Sequence, residues 1–208
     1  MKIFCTEYPL LSGVGNDASG SEPFAIRHAF MRGDSSINNS GKVLVRPFWS
    51  NELCGLPLLV VKVGRVGRHF EAHHTEKYVS EGALGFGLAD RGYFREALKR
   101  GFDPGLAYNF DGSLFLSRFM PLDTFPKAFP EVILRGDDRL QKTLEVQADS
   151  EQIGRTVAEI SRYYLMKMGD LVTFPLCGSM EVFEEDERRL FEGPAGELLL
   201  DLSVKVYK

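Results

Sequence analysis

Apolar residues recur along this chain with two periods, two residues and about 3.6 residues. The period of two is clearest at the C-terminal end, where Leu198, Leu200, Leu202, Val204 and Val206 fall on one face of a predicted strand. KVLVRPF alternates in the same way until Pro47, which predicts a strand ending at an edge or bend. Ile3–Cys5 reads as a short opening strand, and Glu131–Leu134 and Leu140–Val146 as a pair joined by the hairpin-like RGDD. ELCGLPLLVVKVGR, Glu52–Arg65, is apolar on both faces: Leu56, Leu58 and Val60 point one way, Pro57, Leu59 and Val61 the other. Its core, Leu58–Val63, and Gly82–Leu88 are predicted as central strands, and NFDGSLFLSRFMP as extended chain.

The helical period appears twice. Gly92–Arg100 carries Phe94, Ala97 and Leu98 on one side, and Ile153, Val157, Ile160, Tyr164 and Leu165 mark a helix that starts near Asp149–Ser150 and ends before Gly169. Ser12–Glu22, RGDSSINNSGK (32–42) and FDPG are rich in turn formers and are predicted as loops or turns. The acidic run Glu184, Glu185, Asp186 and Glu187 reads as a solvated turn. With no repeat or linker in view, residues 1–208 form a single expected domain, α+β with sheet dominant.

Composition narrows this picture. Hydrophobic residues make up 44% of the chain, enough for a filled core, and 16 Phe with 21 Gly favour sheets and rolls over helical bundles. A net charge of −4 with mixed signs, and no basic run interleaved with aromatics, argues against nucleic-acid binding. Cys5, Cys54 and Cys177 form no CxxC pair, so a structural zinc site is not expected; they read as three buried or half-buried thiols in a reducing compartment. MKIFCTEYPL is too polar for a signal peptide, and no apolar run approaches the roughly 18 residues of a membrane helix. A soluble, cytoplasmic protein without membrane partners is the expectation.

In order along most of the chain, the sequence resembles the fumarylacetoacetate hydrolase family. Ser50, Asn51 and Glu52, followed without a gap by Val60, Val61, Lys62 and Gly64, match the family's S-N-E-I-H-Y-E-V-E-L-V-V-K-I-G segment. GFGLADRGYF keeps Gly85 and Arg91 of a G-x-D-x-T-A-R-D-x-Q segment. Tyr108, Asn109, Phe110, Asp111, Gly112 and Ser113, then Phe119, Met120 and Pro121, meet K-G-F-D-G-S and Phe-x-Pro. EISRYYLMKMGDLVTFP and ELLLDLSVK look like the family's late helix, the strand after it and the closing strand. The resemblance implies a mixed, strand-dominated α+β roll, commonly a homodimer.

It also implies a site that hydrolyses, isomerises or decarboxylates 2-oxo acids and β-diketones around Mg²⁺ or Ca²⁺ held by carboxylates. A hard divalent cation wants oxygen ligands, and two glutamates at i and i+2 of a strand face the same side and share it. In this chain those two positions are Leu56 and Leu58. The aspartates of the second segment fall on Gly87 and Gly92, its glutamine on Phe94, the active-site lysine on Tyr108, and the histidine before the first glutamate on Cys54. CTEYPLLSG, where hydrolase members carry a catalytic histidine, has none, and the T-G-T-P turn is reduced to Thr173, Phe174 and Pro175.

Hydrocarbon cannot grip a cation, so no metal and no other cofactor is expected. Candidate site residues are Asp90, Arg91, Tyr108 and Asp111; Asp90 lies on the opposite strand face from Gly87 by parity, and Asp111 and Tyr108 also read as a turn anchor and a packing tyrosine. Cys54 is a conceivable nucleophile with no histidine placed beside it. His69, His73 and His74, with Glu71 and Glu76, read as a solvated helical face near the mouth of the family site, with a relocated metal site as the alternative. Two functions follow: a non-catalytic relative, a pseudoenzyme, that binds a small ligand or an active paralogue, or an enzyme of 2-oxo acids or acylpyruvates with relocated residues such as Asp90, Tyr108 and Asp111.

Overall fold

The computed structural model describes residues 1–7, 30–146 and 149–206; the predicted Ser12–Glu22 loop lies outside them. In chain order the elements are β1 (Ile3–Cys5), β2 (Phe30–Arg32), β3 (Ile37–Asn39), β4 (Lys42–Val45), β5 (Leu53–Val63), β6 (Val79–Asp90), α1 (Arg91–Arg100), β7 (Leu114–Leu116), β8 (Met120–Pro121), β9 (Ala128–Arg135), β10 (Asp138–Glu145), α2 (Ser150–Tyr163), β11 (Leu171–Pro175), β12 (Glu181–Val182), β13 (Glu187–Glu192) and β14 (Leu198–Lys205). One sheet runs β2-β1-β11-β5-β6-β7-β3, with β12 also pairing β5 and β8 pairing β6; the other runs β10-β9-β13-β14-β4. Among the described residues no helix is long and apolar enough to cross a membrane.

β5 and β6 form the central antiparallel pair, and their sequences interlock. Cys54, Leu56, Leu58 and Val60 stand opposite Ala89, Gly87, Gly85 and Ala83, bulky against small, while Leu59 faces Leu84 and Pro57 faces Phe86. Directly opposed residues share a sheet face, so from Ala83 to Ala89 β6 presents small residues on one face and Leu84, Phe86 and Leu88 on the other. The two faces build two separate cores. Leu59, Val61, Val63 and Phe86 pack with Phe129, Phe191, Leu200, Leu202 and Val204 of the second sheet and with Ile153, Val157 and Ile160 of α2. Leu56, Leu58 and Val60 pack with Ile3, Cys5, Phe30, Phe94 and Leu114. The apolar-on-both-faces pattern of Glu52–Arg65 has this physical basis.

Local chemistry sets the helix ends. Asp90 caps α1 by accepting from Tyr93 N, and Gly101 closes it at φ 72°, a left-handed conformation that glycine adopts without strain. Phe94 and Ala97 are buried, whereas Leu98 points to solvent, contrary to the predicted shared face. Asp149 caps α2 through Gln152 N, but the helix stops at Tyr163; Tyr164 and Leu165 are extended chain leading to the Met166–Gly67 bridge. The RGDSSINNSGK stretch is not simply a loop: it contributes the end of β2, a 3₁₀ turn and β3, which pairs β7. Thr173–Pro175 continue β11 rather than turning, and Leu198, ahead of the bulge between β13 and β14, is exposed. The acidic run is solvated only as far as Asp186. Glu187 is buried, paired with Arg135 and Arg189.

Arg189 joins the two sheets. Its side chain, fully buried, meets Glu131 of β9 at 2.9 Å and Glu181 of β12 at 2.7 Å, and lies 5.0 and 5.1 Å from the Phe86 and Phe183 ring centroids. Three carboxylates and two aromatic faces replace the water that a buried guanidinium gives up.

Asp170, just ahead of β11, anchors Lys2. It accepts from Lys2 N at 2.8 Å and Lys167 N at 2.9 Å and lies 2.7 Å from Lys2 Nζ. Burial alone would raise its carboxyl, but these bonds outweigh burial and hold it below its ordinary 3.8. A carboxyl depressed in the folded state contributes stability above its unfolded value and loses it as pH falls through the folded one. Asp170→Asn is therefore expected to lower the melting temperature at neutral pH and to shrink the gap to the parent protein as pH falls below 3.8, read by thermal unfolding across that range.

Candidate functional site

The seat of interest lies on the β5/β6 face that carries Leu56, Leu58 and Gly87. Leu56 and Leu58 are both fully buried in the smaller core. A Cβ at Gly87 would stand 2.8 Å from Leu58 Cδ1 and 3.4 Å from both Arg32 Nη2 and Glu7 Oε1. Leucine side chain, guanidinium and carboxylate thus converge over a bare glycine.

Arg32 ends β2 and its side chain is shielded from solvent, as is that of Glu7, which follows β1. Nη2 donates to Glu7 Oε1 at 3.1 Å. Nη1 donates to Tyr108 O at 2.7 Å, Leu88 O at 2.9 Å, Ser113 Oγ at 2.9 Å and Ser113 O at 3.1 Å. Glu7 Oε2 accepts from Thr173 Oγ1 at 2.6 Å, and Thr6 Oγ1 donates to Thr173 O at 2.8 Å. The Arg32 ring contact with Phe30, 5.5 Å from its centroid, completes the packing.

These residues do not fit a divalent cation held by a carboxylate cluster. The positions where the resemblance places three anionic ligands carry two isobutyl groups and a hydrogen, and Glu7 is already shared between Arg32 and Thr173. Among the described residues no group of three or more His, Cys, Asp or Glu is placed to hold a metal ion. Among the described residues, the charge that stands over Gly87 beside Glu7 is the Arg32 guanidinium, which repels a cation. Two unit charges about 4 Å apart repel by roughly 4 kcal/mol at an effective dielectric of about 20, and a divalent ion doubles that.

The sequence-derived candidates separate in space. Tyr108 belongs to the seat: its carbonyl accepts from Arg32, and its ring centroid is 3.9 Å from that of Phe30. Asp90 points elsewhere, into the Ser50–Glu52 turn. Its Oδ2 accepts from Ser50 Oγ at 2.5 Å, Asn51 N at 2.8 Å and Glu52 N at 2.9 Å, and Oδ1 accepts from Tyr93 N at 2.5 Å. Arg91 donates to Met180 O at 3.2 Å and lies 3.6 Å from Glu52. Asp111 is exposed in the turn before Gly112. Cys54 donates to Ala89 O at 3.2 Å, and burial pushes its thiol up to about 12, which keeps it protonated and poorly nucleophilic at neutral pH.

His73 and His74 sit in an exposed 3₁₀ turn with ring centroids 3.9 Å apart, and His73 Nδ1 is 3.2 Å from Glu71 Oε2. This turn does not border the Leu56–Leu58 seat. It borders a cavity of about 610 Å³ on the opposite sheet face, floored by Leu59, Val79, Phe125 and Ile153, with Glu76 and Lys127 at its rim.

Glu7 and Arg32 are the site residues that sequence reading missed. Arg32 opens an RGD triplet that looks like turn punctuation, and Glu7 sits in a segment read for its polarity and its lack of histidine. The available signal was a lone Arg and a lone Glu, each next to a short apolar strand (Ile3–Cys5 and Phe30–Arg32), where an unpaired charge would be costly.

The chain aligns in three dimensions with fumarylpyruvate hydrolase from Pseudomonas aeruginosa, solved in complex with Mn²⁺ and pyruvate: TM-score 0.71, 20% identity, 99% of this chain and 89% of that one. With 5-carboxymethyl-2-hydroxymuconate delta-isomerase from Mycobacterium smegmatis the TM-score is 0.70 at 14% identity, over 99% of this chain and 76% of that one. No family model and no curated protein sequence matches the chain. At these identities the likeness shows the fold, a strand-dominated roll of the type shared by those two enzymes.

The Leu58–Gly87 contact yields a direct test. Gly87→Ala places a methyl against Leu58 and is expected to cost about 1–3 kcal/mol by overpacking. Leu58→Ala alone opens a cavity, at about 2–5 kcal/mol. The double variant is expected to lose less than the sum of the two, as residues in contact do; additive losses in denaturant unfolding would contradict the contact.

Proposed function

We propose that this chain is a diverged member of the fumarylacetoacetate hydrolase family in which metal-dependent chemistry has given way to packing, leaving a non-catalytic, cytoplasmic homodimer that binds a small ligand. The observation that carries this reading is the convergence of Leu58, Arg32 and Glu7 over Gly87. Whole-chain likeness to a fumarylpyruvate hydrolase and a muconate isomerase supports descent from enzymes of 2-oxo acids. Conversion of ligand seats to leucines removes carboxylate repulsion and adds apolar burial, roughly 1.5–3 kcal/mol for each leucine.

The ligand role falls to the open cavity on the Leu59 face. Its volume of about 610 Å³ lies within the range of small-molecule pockets, and an apolar floor with charged groups at the rim suits an amphipathic molecule. The competing reading, a hydrolase, isomerase or decarboxylase using Asp90, Tyr108 and Asp111, has Tyr108 alone at the seat, with Asp90 committed to four hydrogen bonds.

Isothermal titration with Mg²⁺, Mn²⁺ and Ca²⁺, paired with an assay panel of acylpyruvates and oxaloacetate, tests the proposal. The expected outcome is no stoichiometric metal binding and no turnover at high protein concentration. Tight metal binding, or turnover abolished by Tyr108→Phe or Asp90→Ala, would overturn it.

A further inference from the structure

Arg32 is not an incidental buried charge. A guanidinium has five N–H donors. Here Nη1 and Nη2 reach five acceptor atoms on segments that are far apart in sequence: Leu88 O in β6, Ser113 O and Oγ just ahead of β7, Tyr108 O, and Glu7 Oε1 beyond β1. Through Glu7 the same network reaches Thr173 in β11. One cation therefore ties β2, β6 and β11 and the approach to β7 around a single point, which is the structural work a bound metal ion does when ligands come from several elements.

Its position coincides with the seat already described. Nη2 lies 3.4 Å from where a Gly87 side chain would begin, and Glu7 Oε1 lies at the same distance. Any side chain grown from residue 87 toward this face meets the guanidinium or Leu58.

We propose that the Arg32 guanidinium is the resident cation of this fold, supplying from within the chain the positive charge at the Gly87 seat and closing that seat to divalent cations. The proposal rests on the reading of Leu56, Leu58 and Gly87 as former ligand positions. It goes further in assigning the loss of metal binding to an occupant and not to missing ligands alone. Restoring carboxylates without removing Arg32 then gives no metal site.

The test restores the three carboxylates as Leu56→Glu, Leu58→Glu and Gly87→Asp, once with Arg32 intact and once with Arg32→Ser. Mn²⁺ is the probe, followed by loss of the free-ion electron paramagnetic resonance signal and by melting temperature with and without EDTA. Uptake of Mn²⁺ and an EDTA-reversible rise in melting temperature are expected only in the Arg32→Ser background. Equal uptake with Arg32 intact overturns the proposal.

Should neither restored protein fold, Arg32→Met alone is compared with Arg32→Met/Glu7→Gln in the parent seat. The single variant leaves Glu7 buried without its counter-charge, so the double variant is expected to melt at a higher temperature than the single. A double variant that melts no higher than the single overturns the proposal. Mn²⁺ binding by the unaltered protein would instead defeat the functional reading, so the two failures are told apart.

Discussion

A charge taken out of water must be answered by groups inside the protein, and the Arg32 guanidinium is answered by a carboxylate, a hydroxyl and three carbonyls drawn from separate elements. That requirement fixes the neighbourhood. β2 must place Arg32 opposite Ile3 of β1 with its side chain in reach of Glu7, β6 must offer the Leu88 carbonyl, and the chain ahead of β7 must turn so that the Tyr108 and Ser113 carbonyls reach the guanidinium. Removal of one partner from such a set costs far more than the set contributes, because the remaining charge is left buried and alone. The smaller core, with Ile3, Cys5, Phe30, Leu56 and Leu58, closes over this pair and excludes water from it.

Side-chain size on the central strands makes room for the arrangement. β6 alternates small and large, with Ala83, Gly85, Gly87 and Ala89 on one face and Leu84, Phe86 and Leu88 on the other. The small face admits the leucines of β5 and the guanidinium, and the large face fills the space between the two sheets. The strand pair thus serves two unlike cores at once. A carboxylate-lined site and a packed one place opposite demands on the Gly87 face, the first needing anions at residues 56, 58 and 87 and the second needing bulk against no side chain.

Much of this was legible in the sequence, for physical reasons. Period-two runs at β5 and β14 and the capped 3.6-residue pattern of α2 report burial directly, so strands, helix and the two faces of β5 could be read off. Leu56, Leu58 and Gly87, where the resemblance places anionic ligands, could be picked out because they fall inside a near-gapless match. What stayed hidden depends on tertiary approach. Glu7 and Arg32 are 25 residues apart and meet only when β1 pairs with β2. Asp90 resembled a displaced acid until its carboxylate was found capping α1 and holding the Ser50–Glu52 turn. Glu187 looked like one of four solvated acids, but strand parity in β13 carries it inward to Arg189. Leu98 fits the helical period of α1 and yet is 49% exposed.

The most direct measurement is anomalous diffraction at the manganese edge from crystals of the unaltered protein grown in MnCl₂. The account predicts guanidinium density from Arg32 beside Gly87 and no anomalous peak there. A manganese peak coordinated by side chains at that position, with Arg32 displaced, would contradict it.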